Sequence, residues 1–317
     1  MSAEVLKFLT LLVCAFTLRR LFIFRSVILR KLKIHFQIDR KYLVSGTLLT
    51  LPAEHLLPEH QLANPLYDQF LPYIVQNLPP QSTVLDIGAN VGDSLATMAV
   101  ANPTLKYVCF EAEEKFIDYL KANIKELMSR YPTLDTLIIT SLISARKQKM
   151  RLAGVGGTRR AEVSVTEGVI PVSLDALCVS RQIDNVSFIK SDVDGWDWDV
   201  ISSGKNTIAL NKPLLFFEMM VVDQNNLNHF VEVIEELDLL GYSHYYVFDC
   251  FGAFIFDTTS SRNVVQLGEY LLTQQKALTT RSIHYIDLLC GHGSSSIASD
   301  AVTRYSDWVK NRITHPQ

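Results

Sequence analysis

The feature that most constrains the fold is a regular alternation of short apolar segments and helical segments that begins at Thr83. Continuous apolar runs of strand length are typical of parallel strands buried on both faces of a sheet. The predicted strands are 83–88, 106–111, 136–143, 185–192, 213–220, 243–249 and 252–257. The last two form a predicted antiparallel hairpin at the sheet edge. The alternation therefore predicts an α/β fold with a doubly wound, mostly parallel seven-stranded sheet and helices on both faces.

The segment VLDIGANVGD (84–93) places a glycine turn between the first predicted strand and the next helix. Gly88 and Gly92 carry no Cβ, so a ligand can approach the backbone closely there. A dinucleotide site of the form G-x-G-x-x-G needs glycine where Asn90 and Asp93 stand. A carboxylate at the helix start also repels a phosphate group. The turn therefore disfavours a dehydrogenase.

A turn with carboxylates suits a cofactor that carries positive charge and no phosphate, and S-adenosylmethionine is such a cofactor. Its sulfonium and ammonium groups are expected beside Asp86 and Asp93. Glu111 ends the second predicted strand, 23 residues after Gly88. At that place an acidic side chain can accept hydrogen bonds from ribose hydroxyls. These residues together favour S-adenosylmethionine as the cofactor.

Charged residues also end the fourth predicted strand, in FIKSDVDGWDWDV (188–200). Strand alternation places Lys190, Asp192 and Asp194 on one face. Charges at the end of an apolar strand are costly to bury unless they are paired, and perturbed carboxylates in clefts are often functional. We therefore interpret Asp192 and Asp194 as functional, and Asp197 as the N-cap of the following helix.

Glu218 ends the next predicted strand and opens onto the same cleft. Methyl transfer to an alcohol requires alignment of the oxygen with the methyl carbon, and a base that removes the proton. Asp192, Asp194 or Glu218 could be this base, or could bind the hydroxyls of a sugar. Three histidines are weaker candidates, because each is typical of a surface or packing residue: His55, His60 and His229.

Residues 1–41 carry nine basic and two acidic residues, whereas the whole chain has 30 basic and 33 acidic residues and a formal net charge of −3. The balanced total argues against a nucleic-acid-binding protein. The uncharged apolar run 8–18 is shorter than the roughly 20 residues of a spanning helix. Four cations share one side of a helical wheel: Arg19, Arg20, Arg30 and Lys31. This pattern indicates either a basic helix on an anionic membrane surface or a helix docked on the acidic remainder of the chain.

Five segments, in this order, make the chain similar to the FkbM-type family of S-adenosylmethionine-dependent methyltransferases. They are DIGANVGD (86–93), FEAEEKFIDYLKANI (110–124), VSLDAL (172–177), FIKSDVDGWDWDVISSG (188–204) and LLFFE (214–218). The resemblance implies a class I methyltransferase-like, Rossmann-like fold and O-methylation, commonly of sugars or natural-product hydroxyls. The cofactor contacts that it implies are Asp86, Gly88, Asn90, Gly92, Asp93 and Glu111. The cleft residues that it implies are Lys190, Asp192 and Asp194.

The chain departs from the family pattern at a few positions. Ala112 stands where proline is usual, Asp194 where glutamate is more frequent, and Ser191 where an apolar residue is more frequent. None of these changes removes a charge that the cofactor needs. They leave the acceptor and the assignment of the catalytic base open.

Four segments follow from these patterns. They are a basic N-terminal helix (1–41), an N-terminal cap with a strand pair and one short helix at about 66–77 (42–82), the methyltransferase domain (83–260) and a C-terminal extension packing on that domain (261–317). The five cysteines lie far apart without a CxxC motif, so the sequence predicts buried free thiols, no disulfide framework and no metal–thiolate site. No metal-binding residues are assigned, and the sequence does not specify whether the reaction requires a metal.

The sequence thus predicts a cytoplasmic O-methyltransferase, peripheral at the inner face of the membrane if residues 1–41 bind lipid. Its expected partner is an acceptor with a sugar or other hydroxyl, in a polysaccharide, a glycolipid or a glycosylated natural-product precursor. No nucleic acid is expected, and the sequence does not specify an oligomeric state. The alternative is a non-catalytic protein that binds S-adenosylmethionine and keeps the methyltransferase fold as a scaffold.

Overall fold

The computed structural model describes residues 35–154, 159–277, 283–293 and 296–314. In chain order the strands are β1 (Arg40–Val44), β2 (Thr47–Leu51), β3 (Thr83–Ile87), β4 (Lys106–Glu111), β5 (Asp135–Thr140), β6 (Met150–Ala153), β7 (Arg160–Val163), β8 (Val186–Ser191), β9 (Leu214–Met219), β10 (Tyr242–Asp249), β11 (Phe254–Thr258) and β12 (Ile286–His292). The helices of the described residues are α1 (Leu57–Ala63), α2 (Leu71–Val75), α3 (Asp93–Ala101), α4 (Glu114–Arg130), α5 (Leu174–Ser180), α6 (Asp197–Ser203), α7 (Lys205–Asn211), α8 (Gln224–Leu239), α9 (Ser261–Ala277) and α10 (Ser296–Thr314).

An eight-stranded sheet in the order β11-β10-β12-β9-β8-β3-β4-β5 forms the centre of the fold. Strands β5, β4, β3, β8 and β9 are parallel to one another. Strand β12 is antiparallel to both of its neighbours, β9 and β10. The strand order reverses between β3 and β8, which makes their carboxyl ends the expected ligand crevice of an open α/β sheet. The predicted Rossmann-like, class I methyltransferase fold is confirmed.

The predicted strand count of seven is wrong by one strand. The hairpin of β10 and β11 lies at the sheet edge as predicted. The additional strand, β12, comes from the segment that was predicted to pack beside the domain, and it lies between β9 and β10 instead. Leu288 and Leu289 point to opposite faces and are both completely buried. A strand that is apolar on both faces is stable only inside a sheet that is covered on both sides.

Helices cover both faces of the sheet, and each face has its own apolar cluster. Leu85 belongs to the cluster shared with α5 to α9, whereas Val84 belongs to the cluster shared with α1 to α4 and α10. The two side chains are neighbours in β3 and are both completely buried. The burial of successive strand residues on opposite faces explains why the strands are continuously apolar.

The N-terminal cap differs from the prediction in its helices. The predicted strand pair is confirmed as β1 and β2, which are antiparallel. Two short helices, α1 and α2, replace the single helix predicted at about 66–77. Pro58 and Pro72 each lie in the first turn of one of them, where proline is tolerated because no backbone N–H is needed. The prolines therefore start helices here instead of only interrupting the chain.

None of the helices in the described part of the chain is long and apolar enough to cross a membrane. The predicted basic helix falls almost entirely within residues 1–34, outside the described residues. Cys109, Cys178, Cys250 and Cys290 are buried free thiols, as predicted. The division of the chain into four segments stays a prediction.

Candidate functional site

The glycine turn after β3 lies against the end of β8. Gly88 has φ +79, and a Cβ on it would lie 2.0 Å from the backbone oxygen of Asp192. The Asp192 N–H donates a hydrogen bond of 3.0 Å to the Ile87 carbonyl. Only a residue without a side chain allows these two strand ends to approach so closely. Gly88 therefore fixes the position of Asp192.

The other residues of the turn are held by helix packing and by the cap. Gly92 has φ +90 at the N-cap of α3, and a Cβ there would lie 2.8 Å from Leu120 Cδ1 on α4. His55 Nδ1 lies 3.2 Å from the Leu57 N–H, which donates to it. The other ring nitrogen, Nε2, is thus the protonated one and donates to Asn90 Oδ1 at 3.2 Å. The turn is locked to α4 and to the cap.

Glu111 lies at the end of β4 and points back to the turn. Its Oε2 accepts a 2.8 Å hydrogen bond from the Asn90 N–H. Its Oε1 accepts hydrogen bonds from the N–H groups of Ala112 (2.9 Å) and Glu113 (2.8 Å). A carboxylate has about four lone-pair positions, so Oε2 keeps one of them for a ligand. Glu111 can therefore accept one further hydrogen bond, from a hydroxyl group of a ligand, and keep its three hydrogen bonds from backbone N–H groups.

Asp86 and Lys190 are neighbours across β3 and β8 in the sheet register. Asp86 is completely buried, and its Oδ2 accepts a 2.7 Å hydrogen bond from Ser94 Oγ. Lys190 Nζ lies 3.4 Å from Asp86 Oδ1 and 3.4 Å from Asp192 Oδ2. Burial alone would lower the pKa of the Lys190 ammonium, but the carboxylates of Asp86 and Asp192 raise it well above its ordinary value. Lys190 therefore remains a cation and cannot serve as a base.

An apolar cavity opens beside Glu111. It is lined chiefly by Ile87, Phe110, Phe116, Leu142, Ile143 and Trp196. Glu111 and Ala112 lie at one side of it, and Gly88 and Asn90 close another. This lining suits a nucleoside, because the apolar walls can hold a flat heterocycle and the Glu111 carboxylate can accept a hydrogen bond from a ribose hydroxyl. We therefore call it the nucleoside cavity.

A second cavity of about 320 Å³ adjoins the nucleoside cavity. Gly88, Asn90, Asp192 and Asp194 line both cavities. The other charged groups of the second cavity are Asp68, Asp93, Lys190 and Glu218. Since carboxyl groups outnumber the single ammonium there, we call it the acidic cavity.

Asp194 stands at the boundary of the two cavities. Its backbone has φ +54, and Gly195 follows with φ +90, so the chain makes a tight turn directly after β8. Burial, followed by repulsion from Asp192, raises the pKa of the Asp194 carboxyl to about 7. Arg160, Lys190 and a backbone hydrogen bond from Arg159 oppose this rise. A carboxyl with this pKa can gain and lose a proton near neutral pH.

The interpretation of Asp197 as an N-cap is wrong. Helix α6 begins at Asp197, and Trp196 occupies the N-cap position without a side-chain capping hydrogen bond. The buried Asp197 carboxylate instead accepts hydrogen bonds from Ser191 Oγ (2.6 Å) and from the Gly195 N–H (3.3 Å). It thereby holds the turn that carries Asp194. The helix starts one residue earlier than an N-cap at Asp197 would place it, because the carboxylate turns inward to the strand end.

Glu218 lies near the end of β9 and is 4 % exposed. Its Oε1 is buried and has no hydrogen-bond partner among the described residues. Burial and the nearby carboxylates of Asp197 and Asp192 raise the pKa of Glu218 well above its ordinary value. Asp68 is in a similar position, since burial raises its pKa to about 8 even with Lys190 nearby. Burial therefore favours the protonated form of both carboxyls, and a cation beside them would favour the ionised form.

The structure brings most of the predicted site residues together. Those that line one or both cavities are Gly88, Asn90, Asp93, Glu111, Lys190, Asp192, Asp194 and Glu218. Asp86 and Gly92 line neither cavity; the structure gives them partners within the protein, so their contacts to the cofactor stay predictions. Of the histidines, His55 and His60 line the acidic cavity, whereas His229 is exposed on α8.

Three further residues that line the acidic cavity, Tyr67, Asp68 and Tyr285, are not indicated by the sequence patterns. Tyr67 and Asp68 lie between α1 and α2 of the cap, and Tyr285 directly precedes β12. The only sequence signal was the polar pair Tyr67-Asp68 within an otherwise apolar segment. These residues reach the site through long-range packing.

The residues present fit the predicted cofactor, S-adenosylmethionine. Gly88 is a backbone cradle that a Cβ would fill, and the adjoining nucleoside cavity contains a carboxylate with a free lone pair. The acidic cavity provides the negative charge that a sulfonium and an ammonium group require. Gly88, Asn90, Asp93 and Glu111 are therefore the groups that would hold it.

Comparison with known proteins gives one family. The family described as "Methyltransferase FkbM domain" matches residues 86–244. No curated protein matches the chain. Among solved structures, methyltransferase FkbM from Methylobacillus flagellatus KT is 13% identical, with a TM-score of 0.36 over 74% of this chain and 58% of that chain.

Two further solved structures have similar values. M. jannaschii TYW2 in complex with AdoMet is 10% identical, with a TM-score of 0.41 over 81% of this chain and 88% of that chain. Precorrin-6y C5,15-methyltransferase from Geobacter metallireducens GS-15 is 9% identical, with a TM-score of 0.36 over 71% of this chain and 86% of that chain.

Proposed function

The chain belongs to the FkbM methyltransferase family, with S-adenosylmethionine as its cofactor, and we propose that it methylates a hydroxyl group of a sugar. The sugar would be part of a polysaccharide, a glycolipid or a glycosylated natural-product precursor. The observation that carries the proposal is Asp194, a carboxyl with a pKa of about 7 at the boundary of the nucleoside cavity and the acidic cavity.

Asp194 is the best candidate for the general base among the residues of the site. The bound cofactor supplies an electrophilic methyl group. The Asp194 carboxylate accepts the proton that the acceptor hydroxyl gives up. A base is most effective when its pKa lies near the working pH. Asp194 meets this condition, whereas burial and nearby carboxylates raise the pKa of Glu218 well above its ordinary value and favour its protonated form.

Lys190 and Asp192 position the site around this base. The Lys190 ammonium lies 3.4 Å from both Asp86 and Asp192, and so ties the ends of β3 and β8 together. Asp192 lines both cavities. Its negative charge can stabilise a cation at their junction, while Lys190 holds it in place. We therefore assign Lys190 as a positioning residue and Asp192 as an electrostatic group.

Transfer of an isotopically labelled methyl group tests this function. The full chain is incubated with S-adenosylmethionine that carries a ¹³C-methyl group and with a panel of sugar glycosides. We expect a new correlation between the labelled methyl and a sugar ring carbon in the NMR spectrum, because the methyl is bonded through oxygen. Label on nitrogen or sulfur contradicts O-methylation. Binding of the cofactor without transfer to any sugar would instead support the scaffold alternative.

We also propose that the basic segment holds the enzyme at an anionic membrane surface. Reversing four charges in the full chain should abolish flotation with vesicles that contain phosphatidylglycerol, because each cation near the surface contributes about 1 kcal/mol. The variant changes these residues to glutamate: Arg19, Arg20, Arg30 and Lys31. A matched control reverses four exposed lysines elsewhere: Lys121, Lys125, Lys147 and Lys149. Equal flotation of the two variants, or no flotation of the wild type, removes the proposal.

A further inference from the structure

One end of the acidic cavity lies away from the nucleoside cavity. Among the residues that line the acidic cavity but not the nucleoside cavity are His60, Tyr67, Asp68, Glu218 and Tyr285. We call these five residues the distal end. Because the cofactor's nucleoside belongs at the opposite side, the distal end is where the acceptor would lie. This assignment rests on the proposed function.

The distal end contains a buried acceptor of hydrogen bonds that the protein leaves unused. Glu218 is 4 % exposed, lines the cavity, and its Oε1 has no partner among the described residues. Native structures rarely leave such an atom unsatisfied, because burial removes its hydrogen bonds to water. An unpaired carboxyl oxygen at a cavity wall therefore indicates a ligand that donates a hydrogen bond to it.

The charge of the surroundings specifies which donor is favoured. Asp68 lines the same end, and Asp287 is the register neighbour of Glu218 on β12. Lys190, which also lines the acidic cavity, already pairs with Asp86 and Asp192. The imidazole of His60 adds no charge near neutral pH, since burial lowers its pKa. A cation would stabilise the ionised form of these carboxyl groups, whereas a neutral donor would not.

Aromatic rings complete the distal end. Tyr67 and Tyr285 are half-buried and line the cavity. Along the chain, Tyr67 directly precedes Asp68, and Tyr285 follows Glu218. The His60 ring packs edge-on against Tyr67, with 4.3 Å between the ring centroids, which holds the Tyr67 ring in place. Aromatic faces attract ammonium ions through their quadrupole. Carboxyl groups together with aromatic faces are a typical lining for an amine.

We propose that the acceptor carries an ammonium group, which the distal end binds between Glu218 and Asp68, next to the hydroxyl that is methylated. The favoured acceptor class is thus an amino sugar with a free amine. Sugars with a carboxylate or a phosphate at this position are disfavoured, because a negative charge there cannot stabilise the ionised form of Glu218 and Asp68. The Glu218 carboxyl ionises when the ammonium group lies beside it.

Binding of matched sugar probes tests the proposal without turnover. The full chain is saturated with S-adenosylhomocysteine, and calorimetry measures the affinity for methyl 2-amino-2-deoxyglucoside, its N-acetyl counterpart and methyl glucuronide. We expect the free amine to bind about tenfold more tightly than the neutral N-acetyl probe, as for a charged hydrogen bond. The glucuronide should bind most weakly. Since no methyl is transferred, this result is independent of whether sugar oxygen is the methylated atom.

Two variants connect the preference to the distal end. Glu218→Gln, which keeps the shape of the side chain, should reduce the tenfold preference for the amine to about twofold or less. Asp68→Asn should reduce it as well, and serves if Glu218→Gln does not fold. Glu235→Gln, at an exposed position of α8, is the matched control and should keep the preference. An amine that binds no more tightly than its N-acetyl counterpart, including no measurable binding of either, overturns the proposal, and so does a preference that both variants retain.

Discussion

Replacing Asp194 with asparagine is expected to lower the kcat of methyl transfer by about 10²- to 10⁴-fold, the usual contribution of a general base. The amide cannot accept the hydroxyl proton but has nearly the same size. Affinity for S-adenosylhomocysteine should stay within about threefold, since the turn that carries residue 194 is held by Asp197 through the Gly195 N–H. Asp184→Asn, at an exposed position just before β8, is the matched control and should have wild-type kcat.

The pH dependence provides a second measurement on the same variant. The base acts only when it is deprotonated, and the pKa of Asp194 is about 7. The kcat of the wild type should therefore rise with pH and reach half its maximum near pH 7. The residual rate of Asp194→Asn should lack this rise. A variant that keeps the same pH profile, or that loses less than about tenfold in rate, would show that another group removes the proton.

The contribution of the sequence to this site is clearest at the ends of the parallel strands. Each of the carboxyl groups Asp192, Asp194 and Glu218 follows an apolar run, and parallel strands end at one edge of the sheet. Their convergence could thus be predicted from a local pattern and a topological rule. The pairing of Lys190 with Asp86 could not, because it depends on the exact register of β8 against β3. Sequence periodicity identifies strands but does not determine which residues of neighbouring strands lie opposite each other.

The parts of the site that sequence analysis missed come from outside the alternating segments. Strand β12 follows the long helix α9. Its apolar composition alone does not distinguish a strand inside the sheet from a segment that packs on the surface of the domain. Only its insertion between β9 and β10 brings Tyr285 to the acidic cavity. Asp68 likewise lies in the cap, with φ +59 in a turn that no local pattern indicates. Contacts between residues so distant in the chain are set by the packing of whole elements.

The same packing makes Gly88 the position where a small substitution should have the largest structural effect. In Gly88→Ala the added methyl would lie 2.0 Å from the Asp192 backbone oxygen and 3.2 Å from Val193 Cγ1, at φ +79. A left-handed backbone costs alanine about 1–2 kcal/mol, and overpacking costs about 1–3 kcal/mol more. We therefore expect the free energy of unfolding to fall by about 2–5 kcal/mol, measured by urea denaturation.

In Gly88→Ala, the added methyl should push the ends of β3 and β8 apart. This displacement should also reduce activity, because Asp192 and Asp194 lie on the displaced segment. A shift of about 1 Å in a reacting group costs about 100-fold in rate. Gly293→Ala separates the two causes. Its φ is +58, and no atom of the described residues would lie within 4 Å of the new Cβ, so only the backbone cost of about 1–2 kcal/mol applies. If Gly88→Ala loses no more stability than Gly293→Ala and keeps wild-type affinity for S-adenosylhomocysteine, the close approach of the two strand ends does not position the site.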